Sequence, residues 1–550
     1  RARVTDSVAP RLRQCSPASG KSSSTNSSCD HRLATQAAWV RARPNSDPVT
    51  DMSTTLGNVL ARVAASEVAR GDYRVIGSTS VEVTDITHDS RVVRAGSIFC
   101  CVRGDNNDGH DFAVAAVAAG AVVIVVDHEV VGVDATQVVV TDVRRAMGHL
   151  AAAFYEHPSR SLTVVGVTGT NGKTTTVRMT AHILEATGLC VGWTTTDGVR
   201  VAGNWIDKGD CSGPRSARKV LMHPDVDAAV FETARGGILR EGLGFDHCQV
   251  AVVTNIGQGD HLGLNYITSV EDLAVLKSVI VQSLPLGGTA VLNAADPIVA
   301  KMGANCRAEV IYFALSPHHP VLSLHRTQGK RVIFVDEGAI FGAHGENIVW
   351  RIPLADIPLT GGGLCKFQIE NAMAAAGATW ALGLTGEQLA RGLMTFVNDA
   401  ETTPGRFNTF QYRGATVIAD YGHNPDAMRA LVQAVETLPK GRRHVVISGA
   451  GDRRDEDIRE QTRILGDAFD TLILYQDQCQ RGRADGEVLK LLREGLERAR
   501  LASEVEEIRG EFLAIDTALA RLQAGDVCLI LVDQVEEALA YIKKRVDDDR

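Results

Sequence analysis

The stretch Val164-Val165-Gly166-Val167-Thr168-Gly169-Thr170-Asn171-Gly172-Lys173-Thr174-Thr175-Thr176 constrains the chain more than any other. The apolar run Leu162 to Val167 reads as a buried strand, a turn punctuated by glycine follows, and Thr175 to Glu185 reads as a helix. Strand, glycine-rich loop and helix, in that order, make a phosphate cradle. Glycines let successive backbone N–H groups converge on phosphate oxygens, and the helix N-terminus adds partial positive charge. The nucleotide-binding candidates are therefore Gly169, Thr170, Asn171, Gly172, Lys173, Thr174 and Thr175. Lys173 is placed to neutralise the β- and γ-phosphates, and the Thr174 hydroxyl to ligate Mg²⁺. ATP and Mg²⁺ are the expected cofactors. One departure stands out: Val167 occupies the place of the first glycine of G-x-x-x-x-G-K-[ST]. The competing reading is an ordinary strand-to-helix turn, disfavoured by the context of Gly172-Lys173-Thr174.

The form T-G-T-N-G-K-T-T resembles the nucleotide loop of the Mur ligases, ATP-dependent amide-forming enzymes of peptidoglycan synthesis and their relatives. The rest of the chain allows such a protein. A length of 550 residues suits about three domains. The hydrophobic share of 45% and charged share of 22% are those of a soluble globular chain. A net charge of -9 disfavours a dedicated nucleic-acid binder. No apolar run reaches the roughly 18 residues of a membrane span. The 11 cysteines include no C-x-x-C pair, so a zinc site is not expected and reduced thiols in a cytoplasmic protein are.

Residues 1–52 are Ser-, Gly- and Arg-rich and are expected to be disordered or a non-native extension, with Met52 as the native start. Residues 53–157 read as a small α/β unit. Its pattern D-S-R, A-G-S-I-F, G-x-x-x-D-G-H resembles the N-terminal domain of the UDP-N-acetylmuramoyl-tripeptide synthetases, which in that family holds the UDP end of the substrate. The resemblance makes Ser90 and Arg91 substrate contacts. Residues 158–400 are expected to form the central nucleotide domain. Glu232 closes an apolar strand that starts at Ala228, and Asp260-His261 follow another, Val250 to Thr254; acid and imidazole groups at neighbouring strand ends beside a phosphate loop suit Mg²⁺. In Mur ligases the lysine matching Lys277 is carbamylated and binds a second Mg²⁺. The metal set implied is thus Thr174, Glu232, His261 and Lys277. Asn293 and Asn371 match the residues beside adenine. Residues 401–550 read as a Rossmann-like domain. There Arg406 and Asp420 match family contacts to ATP, and His423 joins Lys173, Glu232, His261 and Lys277 in the catalytic set.

The implied architecture is α/β, a three-domain Mur ligase with a P-loop ATPase domain and a Rossmann-like C-terminal domain. Within the family the motifs divide. Gly209 to Arg218, Glu232 to Asp246, Ala450 to Asp457 and Arg481 to Glu487 resemble the Mur-like half of the cyanophycin synthetases, which joins arginine to an aspartyl β-carboxyl. The chain has no ATP-grasp half, and it lacks the D-N-P-R and G-K-G-H-E motifs that hold diaminopimelate. The implied reaction is an ATP-dependent carboxylate–amine ligation through an acyl phosphate. Its partners are a small-molecule or peptide carboxylate acceptor and an amino acid. Thr195, Thr196, Arg235, Arg240, Arg481 and Arg483 are candidate substrate contacts, since arginine grips carboxylates in a bidentate fork. A UDP-N-acetylmuramoyl-peptide ligase is the alternative, and a catalytically inactive nucleotide-binding regulatory protein is the alternative of another class. The oligomeric state stays open.

Overall fold

A computed structural model describes residues 53–65, 73–103, 107–257, 262, 267–439, 441–476, 481–497 and 499–549. The expectation of disorder for residues 1–52 lies outside the described residues, as does His261; the Arg240 side chain is likewise not described. The described residues fall in one compact unit, Ser46–Arg550.

Three main sheets follow one another along the chain. The first has five strands between Tyr73 and Val140. Its strand Ala121–Val126 is nearly all apolar and almost wholly buried, as expected of a parallel strand covered on both faces. The helices Leu56–Ala65 and Val143–Phe154 pack together and turn Leu56, Val59, Leu60, Leu150 and Phe154 inward.

The second sheet has eleven strands. Its parallel part runs Val191–Thr195, Ala228–Glu232, Thr163–Thr168, Val250–Val253, Thr289–Asn293, Glu309–Ala314 and Arg331–Asp336, in that spatial order. An antiparallel hairpin extends each edge. The strand Thr163–Thr168 sits between Ala228–Glu232 and Val250–Val253, so the chain's crossovers diverge on either side of it. That divergence opens a crevice at the carboxyl ends of the strands, the place where open α/β sheets take ligands. Val167 is fully buried here, paired with Glu232 on one side and Val252 on the other. It is a core strand residue, which accounts for the missing first glycine. Two cores cover the two faces of the sheet, one built on the helices Lys173–Glu185 and Lys366–Ala381.

The third sheet has six strands, with Ala415–Asp420, Val527–Leu531, Arg443–Ile447, Thr471–Gln476 and Glu504–Arg509 parallel and in that order. The strand Asn408–Tyr412 pairs antiparallel at one edge. The helix Pro425–Val435 packs against the helix Lys366–Ala381, which brings the third sheet's loops over the crevice of the second.

Candidate active site

A cavity of about 670 Å³ lies at that crevice. The volume falls in the range of about 300–1,000 Å³ typical of ligand pockets. One wall is the loop Thr170 to Thr175 with Thr196 and Glu232; another is Arg406, Asp420, His423 and Asn424 from the third sheet's side.

The loop's shape follows from its glycines and its neighbours. Gly169 has φ +152, and a Cβ there would lie 1.9 Å from the Thr254 hydroxyl. Gly172 has φ +84, and its Cβ would lie 2.3 Å from Asn371 Oδ1. Neither position admits a side chain, and both φ values favour glycine. The segment after the strand Val250–Val253 holds the loop: Asn255 accepts from the N–H of Thr170 through its carbonyl at 2.9 Å and from that of Asn171 through Oδ1 at 2.9 Å. The Thr254 hydroxyl donates to Asn171 O at 2.6 Å. The helix Lys173–Glu185 begins at once, and the N–H groups of its first turn have no intrahelical acceptor. They face the cavity through Lys173, Thr174 and Thr175. Lys173 Nζ donates to Thr170 O at 3.0 Å.

Thr174 and Glu232 meet beneath the loop. The Thr174 hydroxyl donates to Glu232 Oε2 at 2.8 Å, and the Thr196 N–H reaches the same oxygen at 3.3 Å. Glu232 is buried, and burial pushes its carboxyl up from the usual range while Lys173 and the Thr174 hydroxyl oppose. A cation here would relieve that cost. The separation also matches the edge of an octahedral Mg²⁺ shell, about 2.9 Å for Mg–O bonds of about 2.0–2.1 Å. The donor set fits Mg²⁺. Lys277 is fully buried on the helix Val270–Gln282, and its Nζ donates to Gly169 O at 2.9 Å. A lysine distant in sequence is thereby brought to the loop from behind.

The third sheet's side supplies more. The Arg406 guanidinium lies over the Tyr421 ring and 3.8 Å from Asp197. Asp197 in turn pairs with buried Arg178 at 2.6 Å. Asp420 is buried, and its two carboxyl oxygens accept from the Phe407 and Gly422 N–H groups. Burial raises its pKa to about 6 against the pull of Arg406. His423 hydrogen-bonds Tyr421 O through Nδ1 at 2.9 Å and lines the cavity. Asn171 and Asn424 exchange amide hydrogen bonds at 3.3 and 2.9 Å, tying loop to helix Pro425–Val435 directly.

The other expected contacts divide between the cavity and the rest of the fold. Asn371 lines the cavity, whereas Asn293 is buried behind Glu370, its Oδ1 accepting from Ala295 N and its Nδ2 donating to Glu370 at 3.5 Å. Thr195 is buried, with its hydroxyl taken by Asp197 N. Ser90 and Arg91 sit on a turn away from the cavity lining, where Arg91 pairs with Asp89. The hydrogen bonds and charge of Arg91 hold the Asp89 carboxyl well below the usual range, and Arg215 acts on the same carboxylate. Arg218, on the same helix as Arg215, pairs with Asp85 and stacks on Tyr155. Buried Arg235 opens the helix Arg235–Glu241, which packs against Ser212 and Gly213 through Gly237. The D-S-R, G-D-C-S-G-P-R and E-T-A-R-G-G stretches therefore neighbour one another. Arg481 pairs with Asp452, and Arg483 with Asp455 and Glu487, which joins two further motifs at the ends of the strands Arg443–Ile447 and Thr471–Gln476.

Sequence reasoning did not single out Thr254, Asn255, Arg178, Asp197, Asn424 or Glu370. Position after an apolar strand was a signal for Thr254 and Asn255; the others meet their partners through tertiary packing, from 19 residues apart for Arg178 and Asp197 to 253 for Asn171 and Asn424, and left none.

The same three-part order appears in comparison with known proteins. The Mur ligase family catalytic domain profile matches residues 82–155, the Mur ligase middle domain 167–379, and the Mur ligase glutamate ligase domain 405–531. Cyanophycin synthetase of Synechocystis sp. is 40% identical over 391 residues, 70% of this chain and 44% of that protein. The chain thus spans less than half the length of the cyanophycin synthetases it matches. The UDP-N-acetylmuramoyl-L-alanyl-D-glutamate--2,6-diaminopimelate ligase of Geobacillus kaustophilus is 30% identical over 465 residues, 82% of this chain and 89% of that protein. The fold resembles that of MurF from Acinetobacter baumannii, with a TM-score of 0.56 at 20% identity over 90% of this chain and 99% of that one. With three domain profiles in sequence and a 30% identical relative matched over nearly its full length, the chain belongs to the Mur ligase family.

Proposed function

We propose that this chain is an ATP-dependent carboxylate–amine ligase of the cyanophycin-synthetase type. The observation that carries the reading is a single cavity walled by a phosphate loop on one side and by Arg406, Asp420, His423 and Asn424 on the other. A carboxylate of the acceptor attacks the γ-phosphate of ATP, giving an acyl phosphate and ADP. The amine of the incoming amino acid then attacks the acyl carbon, and phosphate leaves. The chain's own work is positioning and charge stabilisation. The first-turn N–H groups and Lys173 hold phosphate oxygens, Arg406 faces them from the opposite wall, and closure of the two walls on the nucleotide would exclude water from the acyl phosphate. Thr174 and Glu232 would hold one Mg²⁺, with His261 and a carbamylated Lys277 proposed for another; such ions neutralise charge developing on the transferred group. The described cysteines are free, as suits a reducing cytoplasm.

The acceptor is proposed to be an aspartyl peptide and the amine arginine, on the 40% identity to cyanophycin synthetase. A UDP-muramoyl-peptide acceptor is the second reading. The diaminopimelate ligase match favours it, because that match covers 82% of this chain and 89% of that protein, against 70% and 44% for cyanophycin synthetase. Arg91, Arg215 and Arg218 suit an anionic acceptor in either case. A phosphate-release screen over aspartyl peptides and UDP-muramoyl peptides, crossed with amino acids, separates the readings, and product mass names the bond. Lys173→Ala should abolish phosphate release while leaving the melting temperature nearly unchanged. Undiminished release in that variant, or no release with any acceptor, would overturn the assignment.

A further inference from the structure

We propose that Glu370 reads the nucleobase, presenting a carboxyl oxygen to the 6-amino group of adenine; this rests on the cavity being the nucleotide site proposed above. The helix Lys366–Ala381 divides its polar residues between two ends of the cavity. Gln368 and Asn371 serve the phosphate-loop end. Asn371 Nδ2 donates to Gln368 Oε1 at 2.9 Å, and Asn371 Oδ1 occupies the space where a Gly172 side chain would stand. Glu370 lies about 100° round the helix from Asn371 and about 160° from Gln368. It faces the far end, where the strands Thr289–Asn293 and Glu309–Ala314 stop with Asn293 and Phe313 side by side. The lining there is apolar: Pro297 and Ile298 from the first turn of the helix Pro297–Met302, Phe313 from the central sheet, Ala430 and Leu431 from the helix Pro425–Val435. Such walls suit a flat aromatic base.

Polar recognition at this end falls to Glu370. Asp296 also lines the cavity, but its oxygens are taken by the N–H groups of Ile256, Ile298 and Val299. Asn293 is spent on Ala295 N and on Glu370 Oε1. Glu370 Oε2 has no hydrogen-bond partner among the described residues. Burial pushes the Glu370 carboxyl up from the usual range, with Asn293 opposing. A carboxylate offers acceptors only, so its free oxygen pairs with an amine hydrogen and has nothing to donate to a 6-oxo group. A 6-oxo base places a carbonyl oxygen against that acceptor, and a buried acceptor left facing another is costly.

The test is calorimetric titration of the full chain with MgATP, MgITP and magnesium tripolyphosphate, which lacks a base. The wild type should bind ATP at least about tenfold more tightly than ITP, the ratio set by about 1.4 kcal/mol. Glu370→Gln, nearly isosteric, can turn an amide N–H toward a 6-oxo group and should bring the ratio to within about threefold; Glu370→Leu should lose at least about tenfold in ATP affinity. Tripolyphosphate should bind all three alike, which reports an intact loop. An unchanged ATP-to-ITP ratio in Glu370→Gln, or a wild type without preference, overturns the role of Glu370 and leaves the nucleotide site standing. A wild type that binds none of the three overturns the site itself.

Discussion

Two buried side chains, one behind the phosphate loop and one on the cavity wall, have consequences at the scale of single residues. Lys277 is fully buried with its Nζ on Gly169 O. A bare ammonium there is disfavoured by desolvation, and two nearby Mg²⁺ would add like-charge repulsion. Carbamylation would turn the same side chain into an anionic oxygen ligand. Lys277→Ala should then lower ligation by at least about 100-fold, the size seen when one charge-stabilising group is removed. A short-chain carboxylic acid in the buffer should restore part of the rate. Full turnover by Lys277→Ala would refute the role. Asp420 shows the opposite side of burial. Its pKa rises from 3.8 to about 6, so the folded state holds the proton more tightly than the unfolded chain. Its contribution to stability is complete below about pH 4 and is lost as pH climbs to about 6, of order 3 kcal/mol at about 1.4 kcal/mol per unit. Asp420→Asn removes that titration. Melting curves from pH 4 to 7 should fall less steeply with pH in the variant than in the wild type; parallel curves would contradict the shift.

At the scale of elements, the strand–loop–helix unit owes its geometry to contacts from other elements. Thr254 and Asn255 hold the loop from the next strand, and Asn371 presses on Gly172 from a helix two hundred residues away. Gly172→Ala places a Cβ within 2.3 Å of Asn371 Oδ1 at φ +84. The strain should lower stability by about 1–3 kcal/mol. Nucleotide affinity should fall further than stability, because the displaced Asn371 borders the cavity. Chemical denaturation and nucleotide titration of the same variant give the two quantities. A variant with native affinity would show that the loop tolerates the shift.

At the scale of the whole molecule, the reciprocal amide pair Asn171–Asn424 joins the phosphate loop to the third sheet's helix across 253 residues of sequence. Asn424 has a second task, accepting from Ala427 N as the helix cap, and losing a cap alone costs about 1 kcal/mol. A double-mutant cycle separates the two. Asn171→Ala and Asn424→Ala should couple by about 0.5–3 kcal/mol in nucleotide binding, as contacting residues do. Additive losses would mean that the pair does not close the cavity. Arg178–Asp197–Arg406 bridges the same two parts, and its two arginines stand on different domains of the chain.

The sequence by itself determined the local pieces. The short apolar run Leu162 to Val167, ended by a glycine-rich turn, reads as a buried strand, and the strand is Thr163–Thr168; Gly169 and Gly172 mark turns that a Cβ would obstruct. The phosphate-loop motif put Lys173 and Thr174 just ahead of a helix read from Thr175, and the helix begins two residues earlier, at Lys173. The family motifs foretold the order of the three parts that the domain profiles match. Tertiary structure decided which pieces meet. Glu232 reaches Thr174 because two strands lie parallel and in register, Asn293 falls behind Glu370, and Arg481 and Arg483 find Asp452 and Asp455 between two strand ends. Each contact joins residues far apart in sequence. Hydrophobic periodicity reports the face a residue turns to the core, but packing decides which distant side chain stands opposite.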